Sequence, residues 1–251
     1  MKKTLLCLAF AMASLVATAQ KVTSDPTDDT GLKPATGTFA TELNFNPFKG
    51  NLSLNNALNQ IKVRYFAKPD LAFRAGFNIN QRDSSTNSGT PYGTQSTFFK
   101  ADRKSTTVSF NIGIEKHFKG TRRLSPYIGF DLSIGTRSAS QDNSNNGQTT
   151  SVKNGWLDII YQGQNNYYTV LAENAYTRYG VAGVAGFDFY MAKNFFFGYE
   201  FNLGYAKTDY KTVEVTVSGT NGQNNLNTDS KNSSSTFGTS LVNGIRIGYA
   251  F

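Results

Sequence analysis

Leu71-Ala72-Phe73-Arg74-Ala75-Gly76-Phe77-Asn78-Ile79-Asn80 places its bulky apolar residues at every second position for ten residues. A two-residue period belongs to a β-strand with one greasy face and one wet face. The period recurs along the chain. Val108, Phe110, Ile112, Ile114 and Phe118 oppose Thr107, Ser109, Asn111, Gly113, Glu115 and His117, and Ile128, Phe130, Leu132 and Ile134 oppose Gly129, Asp131, Ser133 and Gly135. Tyr179 to Phe189, Phe195 to Tyr205 and Phe237 to Phe251 follow suit, while Phe39 to Phe45 and Ile61 to Tyr65 carry the pattern more briefly. The reading is an all-β chain of eight strands.

The connections between these segments alternate in kind. Lys68-Pro69-Asp70, Lys119 to Ser125 and Met191 to Asn194 are short and turn-like. Lys49 to Asn59, Gln81 to Lys104, Arg137 to Ala175 and Lys211 to Ser235 are long and rich in Asn, Ser, Gly and Thr. Short turns on one rim and long polar loops on the other suit an eight-stranded antiparallel up-and-down transmembrane β-barrel, since about 9–11 tilted residues cross a bilayer. An even number of strands puts both chain ends on the short-turn, periplasmic rim and the long loops outside the cell.

Composition narrows the field. The 251 residues hold 25 Lys+Arg, 17 Asp+Glu, one Cys and one His, with 39% hydrophobic and 14% aromatic residues. That aromatic content excludes disorder for the bulk of the chain, and no apolar run long enough for a helical span follows the first twenty residues. Residues 1–19 read as a cleavable signal peptide, with Lys2 and Lys3, an apolar run from Leu5 to Val16, and Ala17-Thr18-Ala19 before the cut. Residues 20–37 then form an N-terminal periplasmic leader and 38–251 the barrel. Cys7 falls inside the signal, so the mature chain lacks cysteine, which fits a Gram-negative envelope better than a disulfide-stapled secreted domain. The basic surplus is scattered rather than clustered, which argues against nucleic acid as a partner. The expected location is the cell outer membrane, with outer-membrane lipid and lipopolysaccharide around the barrel.

Alternation alone does not say which face points inward; composition does. The polar face carries 11 of the 23 Gly, among them Gly76, Gly135, Gly198, Gly238 and Gly248. Glycine makes room on the concave side of a narrow barrel and only weakens an exposed strand face. The same face holds Glu42, Glu115, Asp131, Asp188 and Glu200 against Lys62, Arg64, Arg74, Arg178 and Arg246, with His117 beside Glu115. Five acids against five bases is what a lumen needs, because an unpaired buried charge costs about 3–5 kcal/mol. These eleven residues are the expected lumen charge network. Aromatics such as Phe39, Phe118, Tyr179, Phe189, Phe195, Tyr205 and Tyr249 stand toward strand ends, as interfacial girdles do.

The signal peptide, the eight alternating strands and the closing Gly244-Ile245-Arg246-Ile247-Gly248-Tyr249-Ala250-Phe251 resemble the small eight-stranded outer-membrane β-barrel families typified by OmpX and the barrel domain of OmpA. The resemblance covers the mature chain. It implies that Ile247, Tyr249 and Phe251 form the signal read by the barrel-assembly machinery. The chain stops at this strand, so no peptidoglycan-binding domain is expected to follow.

Little chemistry is on offer. His117 is expected in the lumen near the periplasmic rim, far from the outer rim where barrel enzymes of lipopolysaccharide trimming carry theirs, and the chain reads as no enzyme. No spacing of His, Cys, Asp or Glu builds a metal or cofactor site, and Asp25, Asp28 and Asp29 are too scattered for calcium. Eight strands leave room only for side chains, so the lumen is expected to be plugged. Function then rests on the loops or on the barrel as an envelope scaffold. The loop 137–175 contains Trp156, Ile160, Tyr161, Tyr167 and Tyr168 around a polar turn, which reads as a hairpin above the membrane and a candidate partner contact. Thr212 to Val217, in the loop 211–235, reads as a continuation of the seventh strand. A surface-interaction or scaffold barrel is the first reading, a narrow porin for small ions the alternative, and a soluble barrel with an apolar interior the third.

Overall fold

A computed structural model describes residues 31–45, 58–90, 97–162, 166–219, 224–227, 232–240 and 245–251. The predicted signal peptide, the leader up to residue 30 and Gly244 lie outside the described residues. The chain there is antiparallel β-structure: β1 (Phe39–Phe45), β2 (Leu58–Lys68), β3 (Leu71–Thr90), β4 (Thr97–His117), β5 (Leu124–Asn145), β6 (Gln148–Lys153), β7 (Gly155–Gln162), β8 (Asn166–Asn174), β9 (Tyr176–Ala192), β10 (Phe195–Tyr210), β11 (Glu214–Ser218), β12 (Asn224–Asn227), β13 (Ser233–Ser240) and β14 (Ile245–Ala250).

Eight of these strands close a ring. The antiparallel pairs run β1-β2-β3-β4-β5-β9-β10-β14 and back to β1, where Ala40 meets Ala250 and Glu42 meets Gly248. Closure pairs both sides of each member at this level and leaves no open edge there. The last wall is built in two pieces: β14 pairs the start of β10, Phe195 to Tyr199, and β13 pairs its later part, Asn202 to Asp209.

Two of the predicted long loops are not loops. The β3–β4 pairing continues without a break from Gln81 opposite Thr106 to Thr90 opposite Thr97, so this hairpin extends far above the ring. Sequence periodicity misses it because Gln81 to Thr90 contains no apolar residue, and all ten are exposed, wetted on both faces. β5 likewise runs on to Asn145 and returns as β6 through Asn146-Gly147, whose φ angles of 46° and 82° suit a tight two-residue hairpin turn. A second correction concerns Thr212 to Val217. This segment does not continue the seventh strand: β10 ends at Tyr210, and β11 pairs instead with β6, Glu214 opposite Lys153. The result is a sheet that continues beyond the ring in the order β3-β4-β5-β6-β11-β12.

The burial is the reverse of a water-soluble fold. Outward positions of the ring are apolar and exposed, as with Phe73 at 49%, Ile112 at 49% and Phe130 at 48%, while inward positions hold buried ions, Arg64 and Glu115 at 0%. At the short-turn end the interior is closed by apolar packing of Ala40, Phe66, Ala72, Tyr190, Phe196 and Ala250, with Leu32 packed against them. Leu32 is held there by the leader, where Gly37 N donates to Phe66 O at 2.8 Å and Asn194 N donates to Leu32 O at 3.2 Å. On the turn between β2 and β3, Lys116 hydrogen-bonds the exposed Asp70 carboxylate and holds its pKa below the ordinary value. This contribution is present at neutral pH and is lost as pH falls through that depressed value; salt screens it.

Candidate functional site

Strand parity turns Glu42, Lys62, Arg64, Arg74, Glu115, His117, Asp131, Asp188, Glu200 and Arg246 toward the ring axis, and the fold joins all ten into one network. Arg64 reaches Asp188 Oδ2 at 2.7 Å, Glu115 Oε2 at 3.1 Å and Glu42 Oε2 at 3.1 Å. Arg74 grips Asp131 with Nε at 2.6 Å and with Nη2, and its Nη1 bonds Glu115 at 2.7 Å and Glu200 at 2.8 Å. Arg246 bridges Glu42 at 3.1 Å and Asp188 at 2.6 Å. Lys62 meets Glu200 at 3.1 Å.

Several of these bonds are crossbars. Arg64 on β2 meets Asp188 on β9, Lys62 on β2 meets Glu200 on β10, and Arg74 on β3 meets the same Glu200; in each case the two bridged strands are not neighbours in the ring. Charge-assisted bonds spanning the interior fill it with matched ions. Two guanidinium groups also lie against ring faces, Arg64 over Phe196 at 4.8 Å and Arg246 over Tyr127 at 5.1 Å. Among the described residues Arg64 Nε and Arg246 Nε find no hydrogen-bond acceptor.

Glycine supplies the space. A Cβ on Gly198 would stand 2.7 Å from Asp188 Oδ1 and 2.8 Å from Arg246 Nη2, and one on Gly186 would stand 2.5 Å from the Tyr127 hydroxyl. Absence of that Cβ lets Tyr127 lie across Gly186 and donate to Glu200 at 2.7 Å. The packing argument fails higher up: nothing lies within 4 Å of a Cβ on Gly238, and the nearest atom to one on Gly135 is 3.6 Å away. Among the described residues Gly238 borders open space, and a Cβ on Gly135 would make only ordinary van der Waals contact.

Arg178 is a correction. It faces the same interior but is exposed and makes no ion pair among the described residues. It lies opposite Gly135, four residues beyond the Ala182–Asp131 pair, a rise of about 13 Å along the strand. The network therefore sets five carboxylates against four strong cations, with His117 Nε2 at 3.1 Å from Glu115 as the further partner.

Periodicity also left out residues that matter. Phe66, Tyr190 and Phe196 sit where register shifts interrupt alternation, or beside such shifts. Phe195-Phe196-Phe197 was the available signal, since three consecutive aromatics on a strand force one inward. Ser125 was missed as well. Its Oγ lies 3.0 Å from His117 Nδ1, whose Nε2 faces Glu115, giving the order of a hydroxyl, imidazole and carboxylate relay. Its setting opposes turnover: Ser125 is 5% exposed, and Glu115 is already held by Arg64 and Arg74.

The expected partner residues divide. Trp156 is not offered to a partner: it is 6% exposed, its Nε1 donates to Lys104 O at 3.1 Å, and Arg82 and Arg103 cover its ring at 5.7 Å and 5.8 Å. It docks the β7–β8 hairpin onto its own chain, with Leu157 N donating to Gln141 Oε1 at 2.7 Å. Ile160 is exposed at 40%. For Tyr161, Tyr167 and Tyr168 only the backbone register is described, Tyr161 opposite Tyr167 and Ile160 opposite Tyr168. Trp156→Ala should weaken this docking by about 3–5 kcal/mol, as for other buried Trp truncations, and limited proteolysis should then cut between 155 and 174 while the ring stays intact. Ile247, Tyr249 and Phe251 stand exposed on the outward side, with Phe251 N donating to Phe39 O at 2.7 Å.

No protein-family profile matches the chain, and no curated protein matches it. Among solved structures, it is similar to the N-terminal beta-barrel domain of Pseudomonas aeruginosa OprF, with 11% identity over 87% of this chain and 100% of that chain and a TM-score of 0.32.

Proposed function

We propose that this chain is an integral outer-membrane β-barrel with a charge-plugged lumen, which serves as an anchored platform for the sheet it projects outward. The observation that carries the reading is the inverted burial of the ring, with large apolar side chains exposed outward around buried ions. Water would not tolerate such a continuous apolar belt on a soluble protein. The belt has the right height: on β10 it runs without a charge from Phe195 to Tyr205, about 33 Å of strand, or about 25 Å vertically at a 35–45° tilt. Charges flank it at both margins, Lys116 with Asp70 on one side and Lys207 with Asp209 on the other. The soluble reading needs an apolar interior, and the interior holds ions instead.

Export by residues 1–19, recognition of Ile247, Tyr249 and Phe251 by the assembly machinery, and lipid with lipopolysaccharide as the surroundings belong to the same proposal. The chain should sediment with membranes and leave them only in detergent; recovery in the soluble fraction overturns the reading. The narrow-porin alternative requires the crossbars between β2, β3, β9 and β10 to part. Planar bilayers holding the wild-type protein should show no stable unitary steps, and regular steps lost on Glu200→Gln would favour the channel.

The proposal includes no catalysis. Ser125, His117 and Glu115 act as members of the plug, and a fluorophosphonate probe should leave Ser125 unlabelled in the folded protein. Labelling abolished by His117→Ala would reopen the enzyme reading.

A further inference from the structure

We infer that the upper half of the ring interior is a binding vestibule for a small hydroxylated carboxylate, with Arg178 as its anion receptor. A cavity of about 340 Å³ lies there, at the lower end of the range for small-molecule sites. Its inward lining includes Arg178 with Ser133, Asn202 and Thr236; Gly180, which has no side chain, and Ala206, which has only a methyl, keep the volume open.

The four strong cations of the plug, Lys62, Arg64, Arg74 and Arg246, each hold at least one carboxylate. Arg137, one row above Arg178, holds Glu173 at 3.0 Å. Arg178 alone among these inward cations has no carboxylate partner among the described residues. A guanidinium in this setting offers a planar fork suited to an oxyanion. Asp131, two inward rows below on β5, is already gripped by Arg74, and Glu173 above is held by Arg137. Asp131 lies opposite Ala182, which lines the cavity, so the Arg74–Asp131 clasp sits toward its lower end.

Two features define the ligand. One cation without an acid partner, its neighbour Arg137 being already paired with Glu173, suits a single negative charge, hence a carboxylate in preference to a dianionic phosphate. The Ser133 and Thr236 hydroxyls and the Asn202 amide on the same lining suit a ligand that carries hydroxyl groups of its own. A sugar acid has both.

The inference uses only the interior of the ring and holds whether or not lipid surrounds it. A membrane-fractionation failure and a failure of this site are therefore separate results. The test uses the full chain folded in detergent micelles and titrated with glucuronate at low ionic strength, with backbone amide NMR as the readout. Glucuronate should shift the amides of Ser133, Gly180 and Ala206 saturably, and neutral glucose should not. Arg178→Gln removes an exposed, unpaired side chain, so the fold should survive, and affinity should fall about tenfold or more, with Arg178→Lys intermediate. Ala206→Leu, which fills the cavity without touching charge, should also abolish the shifts. The proposal is overturned if Arg178→Gln titrates like the wild type, or if glucose moves the same amides with the same midpoint.

Discussion

Arg64→Met should destabilise the folded protein by about 3–5 kcal/mol, the expected loss when one partner of a buried ion set is removed. Arg64 is fully buried and meets carboxylates from three strands, Glu42 on β1, Glu115 on β4 and Asp188 on β9. Methionine restores most of the volume, so the loss reports charge left unpaired more than a cavity. Urea unfolding of the protein folded in micelles or vesicles reads it as a lower midpoint with an unchanged slope. A second substitution separates the pair from its surroundings. Asp188→Asn alone should also destabilise, yet Arg64→Met with Asp188→Asn should cost less than the two losses added, with a coupling of about 0.5–3 kcal/mol for groups in direct contact. Strict additivity would mean that the 2.7 Å contact between Arg64 and Asp188 carries no specific energy, and the plug would then be mere filling. Arg178→Met is the internal control. It shares the inward parity of Arg64 but has no ion partner among the described residues, and it should leave the midpoint within about 0.5 kcal/mol, as surface substitutions do.

That contrast marks how far the sequence could be read. Alternation identifies inward residues strand by strand, because parity is local and a face is either greasy or not. It therefore found the ten network members and the exposed belt of Phe73, Ile112 and Phe130. It could not find height. Arg178 and Arg246 look alike in a parity count, and only the register of β9 against β5 and of β14 against β10 shows that one lies level with the acids and the other well above them. Height also decides the glycines: Gly198 makes room for Arg246 and Asp188, while Gly238 borders open space. Periodicity fails for a different reason above the ring. Gln81 to Thr90 carries no apolar residue and is exposed throughout, so its pairing with Thr97 to Thr106 leaves no apolar trace on β3. Trp156 shows the remaining limit. An aromatic in a long polar loop fits an anchor for a partner and an anchor for the loop itself equally well, and only the Lys104 carbonyl and the two guanidiniums around it choose the second.

Phe130→Arg addresses the membrane itself. Phe130 is outward and 48% exposed, and it stands at the middle of the apolar run from Pro126 to Ile134 on β5, level with Ile114 on β4 and Gly183 on β9. On a soluble protein, exchanging a half-exposed aromatic for arginine changes stability by about 0.5 kcal/mol in either direction. In a bilayer, the same exchange puts a cation at the hydrocarbon midplane, at a cost of about 2–4 kcal/mol. The cost should fall with depth. Thr136→Arg, three outward rows nearer the projecting sheet and level with Thr177, should cost about 0–1 kcal/mol, since arginine there reaches the interface. Vesicle-embedded protein should show this gradient in its unfolding midpoints, and protein in water-exposed form should not. Equal, small effects at Phe130 and Thr136 would mean that the belt faces something other than acyl chains. The buried ions would then be lining a ring held together by a protein partner on its outer face, and the orientation of the projecting sheet relative to a membrane would lose its basis.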